Sequence, residues 1–118
     1  MKKLLVSALL GLCMMAPASA QSIGGSYTVK GTNLDGSPYG GTAEITLTSS
    51  TTCTIHWDVG STSEGICSRN DAAFAAAYVL GDAIGLVVYK VMEDGSLDGL
   101  WTIAGREGSC TEILTPAN

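Results

Sequence analysis

His56 and Asp58 flank Trp57, so on an extended chain both project to the same face. A histidine beside a carboxylate pairs a general base with a group that could orient it. The rest of a catalytic constellation is missing: no serine or cysteine nucleophile motif accompanies the pair, and His56 is the only histidine. Two polar residues alternating along a strand are ordinarily solvent-facing, so the pattern predicts no catalytic residue and a protein that is not an enzyme. A metal centre fails on ligand count, since one histidine and no C-x-x-C pair cannot supply the usual ligand set. No cofactor motif is present either, because Gly24-Gly25 and Gly40-Gly41 lack the lysine and the helix of a phosphate-cradling loop.

The cysteines are the next reactive groups, and their reading depends on the N-terminus. Lys2 and Lys3, the apolar run from Leu4 to Met15, and Pro17-Ala18-Ser19-Ala20 form the charged, apolar and small-residue parts of a cleavable export signal, with cleavage after Ala20. The apolar run is too short to span a bilayer, and Leu12 stands before Cys13 where a lipoprotein signal needs a small side chain. Residues 1–20 are therefore read as a signal peptide and 21–118 as one small domain, periplasmic or secreted, where disulfides are permitted. Removing Cys13 leaves Cys53, Cys67 and Cys110. Cys53 and Cys67 flank the turn-forming stretch Gly60-Ser61-Thr62-Ser63, which predicts a bridge between neighbouring antiparallel strands. Closing a loop of about 15 residues contributes roughly 3 kcal/mol in the chain-entropy account. Two- or four-residue connections would put the thiols on opposite faces, so the bridge requires a three-residue loop or a bulge. A nucleophilic thiol would need a cationic neighbour, and only Arg69 and Arg106 lie near Cys67 and Cys110.

The mature part carries four basic residues against eleven acidic ones, a formal charge of −7. Such a surface repels phosphate and excludes nucleic acid as a partner, while an acidic rim of Asp35, Asp58, Glu64, Asp82, Glu93, Asp94 and Asp98 favours a basic protein. The aromatic residues Tyr39, Trp57, Tyr78, Tyr89 and Trp101 are the candidate ligand-binding set. Trp57 and Trp101 sit among apolar alternates and suit a core equally well, whereas Tyr39, beside Pro38 in a turn, is the best surface candidate.

These residues must be positioned by short strands. Ala43, Ile45 and Leu47 alternate with threonine and glutamate, and Cys53, Ile55, Trp57 and Val59 do the same against Thr54, His56 and Asp58. Tyr27 and Val29, Gly65 to Arg69, Gly85 to Met92, Leu97 to Ala104 and Ser109 to Thr115 supply further strands, with turns at Asn33 to Pro38 and Asp94-Gly95. Asn70 to Gly81 has a helix cap, an alanine run and a terminal glycine, yet the alternation of Phe74, Ala76, Tyr78 and Leu80 also fits a strand, and strand is the reading adopted. The count is eight. An all-β fold of about eight antiparallel strands with tight turns is most simply an up-and-down barrel, since closure removes exposed edges. Strands this short make a shallow mouth and predict an interior filled by side chains rather than left open.

The runs GSYTVKGTNLDGSPYGGTAEITL (Gly25 to Leu47), TIHWDVGSTSEGICSRN (Thr54 to Asn70), FAAAYVLGDAIGLVVYKV (Phe74 to Val91), EDGSLDGLWTIAG (Glu93 to Gly105) and SCTEILTP (Ser109 to Pro116) cover nearly the whole mature chain. Together they resemble a family of small exported proteins of alphaproteobacteria often labelled fibronectin-binding proteins. The resemblance implies a lipocalin-like or avidin-like barrel and an extracellular-matrix partner such as fibronectin. Relatives tend to read G-x-G-T-E where this chain has Gly108-Ser109-Cys110-Thr111-Glu112, which supports leaving Cys110 unpaired. The expectation is a non-enzymatic exported binding protein. The alternatives are a carrier of a small apolar ligand in the barrel, or an inhibitor of a basic host enzyme such as lysozyme.

Overall fold

The computed structural model describes residues 22–117, so the export signal read over residues 1–20 lies outside the described residues. The chain forms eight strands: β1 (Gly25–Thr32), β2 (Pro38–Leu47), β3 (Thr52–Asp58), β4 (Thr62–Arg69), β5 (Ala73–Leu80), β6 (Ala83–Val91), β7 (Leu97–Ile103) and β8 (Cys110–Pro116). Each pairs antiparallel with its successor, and β8 returns to β1 to close the barrel. The alanine run that resembles a helix is β5. Phe74, Ala76 and Tyr78 share its inward face while Ala75 and Val79 are exposed. A ten-residue helix has little stability of its own, and pairing on both sides, with β4 over Phe74 to Val79 and with β6 over the whole strand, satisfies the backbone of this segment.

Register answers the question posed by the cysteines. β3 and β4 are joined by the three residues Val59, Gly60 and Ser61, with Gly60 at φ +100° and the Val59 amide donating to the Ser61 carbonyl at 3.1 Å. A three-residue connection pairs Asp58 with Thr62, and therefore Cys53 with Cys67, whose Cα atoms are 4.9 Å apart across a disulfide. Cys110 is free. The disulfide is consistent with an oxidising compartment.

An up-and-down order places the β1–β2, β3–β4, β5–β6 and β7–β8 connections at one end, and the other connections and both chain ends at the opposite end. The interior differs between the two. Toward the chain termini, Ile45, Ile55, Leu97, Leu114 and the stacked pair Phe74 and Tyr89 fill the barrel completely, and Ile23 plugs it from below, its carbonyl taking a 2.6 Å hydrogen bond from the Tyr27 hydroxyl. Toward the other end the filling is incomplete. Three tyrosines lie flat across inward-facing glycines of a neighbouring strand: Tyr39 over Gly31 and Tyr78 over Gly85 in this half, and Tyr89 over Gly99 at its floor. A Cβ at these glycines would come within 2.1–2.5 Å of the rings, so the absence of a side chain on one strand makes room for a large one on its neighbour.

The outer surface is also divided. Thr28, Lys30, Thr42, Glu44, Thr46, Thr54, His56 and Asp58 face outward on β1–β3. On β4–β7 the middle of the outer face is apolar: Ile66, Ala77 and Leu86 form one cross-strand row, Ala75, Val88 and Leu100 a second, and Val79 and Ile84 a third, flanked by Glu64, Ser68, Lys90 and Asp98. Ile66 is 70% and Ile84 64% exposed.

Candidate ligand-binding site

The open half of the barrel holds a cavity of about 210 Å³. Its wall is built by Tyr39 from β2, Trp57 from β3, Tyr78 from β5 and Trp101 from β7, with Val59, Leu80 and Val87 between them. Asn33, Ser61 and Ser63 add polar groups, and Glu112 of β8 contributes a carboxylate. Each aromatic stands at an inward position of its strand, so the period-two alternation that packs the closed half solid delivers rings around a void here.

Glu112 is the organising group. It is only 6% exposed, the one buried charged side chain among the described residues. The Tyr39 hydroxyl donates to Oε1 at 2.5 Å, the Trp57 indole N–H donates to Oε2 at 3.0 Å, and the Tyr89 hydroxyl donates to Oε2 as well. Three donors on one carboxylate leave one acceptor direction on Oε1. All three are neutral, so no side chain among these partners balances the carboxylate's charge.

The electrostatic effect is visible in the phenols. Burial, reinforced by the negative charge of Glu112, pushes Tyr78 up to about 12 and holds Tyr39 and Tyr89 further above the ordinary tyrosine range. All three therefore stay protonated and serve as donors. Tyr78 directs its hydroxyl toward the Thr102 carbonyl at 3.3 Å. Its ring meets Trp57 edge-on, centroids 5.1 Å apart at 62°, and Tyr39 meets Trp101 similarly at 6.5 Å and 68°. The Trp101 indole N–H is buried without a hydrogen-bond partner, a state that costs about 1–3 kcal/mol.

Of the five aromatics singled out by sequence, four line one cavity. Tyr89 lies beneath it, stacked on Phe74 and holding Glu112 from the packed side. Tyr39, expected at the surface, instead turns inward across Gly31 and anchors on Glu112. The expected filled interior is corrected in the same way: the closed half is filled, and the open half is not. His56 and Asp58 are both exposed on the outside. His56 Nδ1 lies 3.2 Å from Glu64 of β4 and is not paired with Asp58. Glu112 was missed by the sequence reading, although Cys110, Glu112 and Leu114 share one face of β8 and a carboxylate in line with a core leucine was a signal to follow.

No family model and no curated protein matches the chain. Solved structures do. A redesigned β-barrel is similar with a TM-score of 0.71 at 16% identity, covering 86% of this chain and 95% of its own. A second redesigned barrel, solved bound to DFHBI, has a TM-score of 0.71 at 19% identity over 83% of this chain and 98% of its own. A de novo fluorescence-activating barrel has a TM-score of 0.62 at 20% identity, over 85% and 98%. At these identities the likeness defines the class: a small closed antiparallel β-barrel.

Proposed function

We propose that this protein is an exported, non-enzymatic binding protein whose open half takes one small organic molecule. The observation that carries the reading is the 210 Å³ cavity walled by four aromatic rings around a buried carboxylate. A barrel of this size has the interior volume to fill itself, as its other half does, so an aromatic-lined void next to a desolvated charge is the feature that core packing does not explain. Trp57 and Trp101 in the wall make tryptophan fluorescence a direct reporter. A panel of small apolar, cationic and anionic molecules should contain members that change the emission saturably and raise the melting temperature with concentration. A panel that moves neither signal sinks the reading.

A second reading, a folded protein partner, is favoured by the outer face of β4–β7. Its exposed apolar side chains present on the order of 600 Å², at the upper end for a monomer and approaching what one partner contributes to a standard interface. Fibronectin is the occupant implied by the family resemblance. Retention on immobilised fibronectin that is lost in a Leu86→Asp, Val88→Asp variant supports it. No retention above a charge-matched control, or light scattering that shows the face consumed by self-association, removes it.

A further inference from the structure

We infer that the ligand of the open half is a small organic cation, an alkylammonium group held by an aromatic cage. The inference rests on the small-molecule reading above and narrows it to a charge class. Tyr39, Trp57, Tyr78 and Trp101 reach one cavity from four different strands, and neither of their ring pairs is stacked face to face. Rings so arranged form walls, and the faces of aromatic rings carry negative quadrupole charge that attracts a cation, more strongly where water is excluded. Two of these rings, Tyr39 and Trp57, donate their polar hydrogens to Glu112. Donation to a carboxylate pushes electron density back into the ring and strengthens the attraction.

Glu112 supplies the second half of the argument. Its negative charge sits at the cavity among neutral donors, with an acceptor direction still open on Oε1. A neutral ligand leaves that charge uncompensated, and an anionic one meets it across a short, poorly screened distance. A cation is the occupant that the carboxylate and the ring faces both favour. The volume suits a molecule of roughly ten non-hydrogen atoms or fewer, small for a ligand pocket. The described residues carry four basic and eleven acidic side chains, an excess of negative charge that favours cations over anions near the protein.

The test compares shapes that differ only in charge. Choline and tetramethylammonium are titrated against the neutral carbon isostere of choline, dimethylbutanol, with tryptophan emission and calorimetry as readouts, and phosphatidylcholine vesicles are added as a separate arm. The expected result is a preference of at least about tenfold for the cations over the isostere. Binding to the vesicles as well assigns the headgroup as a source of the same chemistry, and binding of free choline alone assigns a soluble molecule. Glu112→Gln, checked for folding by circular dichroism, should bring the preference down toward parity; Tyr78→Leu, which leaves every partner of Glu112 in place, should weaken the cation more than the isostere. Equal or tighter binding of the isostere overturns the cation inference and leaves the small-molecule reading standing. Failure of cations, isostere and the wider apolar panel together overturns both.

Discussion

The two halves of this barrel are made by the same alternation of inward and outward residues, yet one is a core and the other a site. In the closed half the inward residues are Ile45, Ile55, Phe74, Leu97 and Leu114, all essentially inaccessible, with the Cys53–Cys67 bridge beside them. In the open half tyrosines, tryptophans, serines and a glutamate, with Val59, Leu80 and Val87 between them, surround an unfilled volume. Glu112 and Tyr89 mark the boundary. Tyr89 stacks on the closed-half Phe74 while its hydroxyl reaches the open-half carboxylate, so the packed end holds the site's charged group in place. The lesson is one of division of labour within a single small fold: tight apolar packing is concentrated at one end, while the other keeps polar tips and a void.

That division is open to attack from either side. The largest effect is expected from Phe74→Ala, which removes a ring at the centre of the closed half and should cost about 3–5 kcal/mol in chemical denaturation. A comparable loss from Trp101→Ala in the wall would show that the open half carries stability equally, against the division drawn here. Next comes the bridge. Replacing Cys53 and Cys67 together by serine should lower stability by about 3 kcal/mol, given a sequence separation of 14, and reductant should do the same to the parent protein. An unchanged denaturation midpoint would mean the closed half does not depend on it.

Alkaline pH probes both halves at once. Tyr27 in the closed half and Tyr39, Tyr78 and Tyr89 around Glu112 all have pKa values raised above 10.0, chiefly by burial. A raised folded value means that the unfolded chain releases protons first. The contribution is therefore fully present below about pH 10 and is lost as pH climbs, for Tyr78 through about 12. Tyrosinate absorbance should appear together with loss of the β-sheet circular dichroism signal; ionisation well ahead of unfolding would contradict the buried donor network. The smallest effect belongs to Tyr39→Phe. It deletes one donor to the buried Glu112 carboxylate and should cost about 1.5–3 kcal/mol of stability while measurably changing ligand affinity. A change in stability with no change in affinity would place Tyr39 outside the site.

Much of the frame was legible beforehand. Alternation located the strands and turns located their joints, and β5 could be separated from a helix only by its context, since so short an isolated helix is marginal and every flanking segment reads as a strand. The disulfide was legible up to a condition, a three-residue connection, which Val59-Gly60-Ser61 meets. The site was legible only as a list of aromatics. Tyr39 looked exposed because it stands beside Pro38 at the end of a turn, and nothing local shows that Gly31, on the partner strand, vacates the space its ring occupies.

The sequence by itself determined the period-two pattern and the strand count and reduced the pairing of Cys53 with Cys67 to a condition on turn length, because these depend on short-range alternation; the register of β3 against β4 met the condition. Only the tertiary structure decided which aromatics meet. Closing the sheet brings β8 against β1 and sets Glu112 opposite residues that lie 23, 55 and 73 positions away along the chain, at Tyr89, Trp57 and Tyr39. A carboxylate's surroundings are a matter of distance through space and of excluded water, and neither is written in the spacing of residues along a strand.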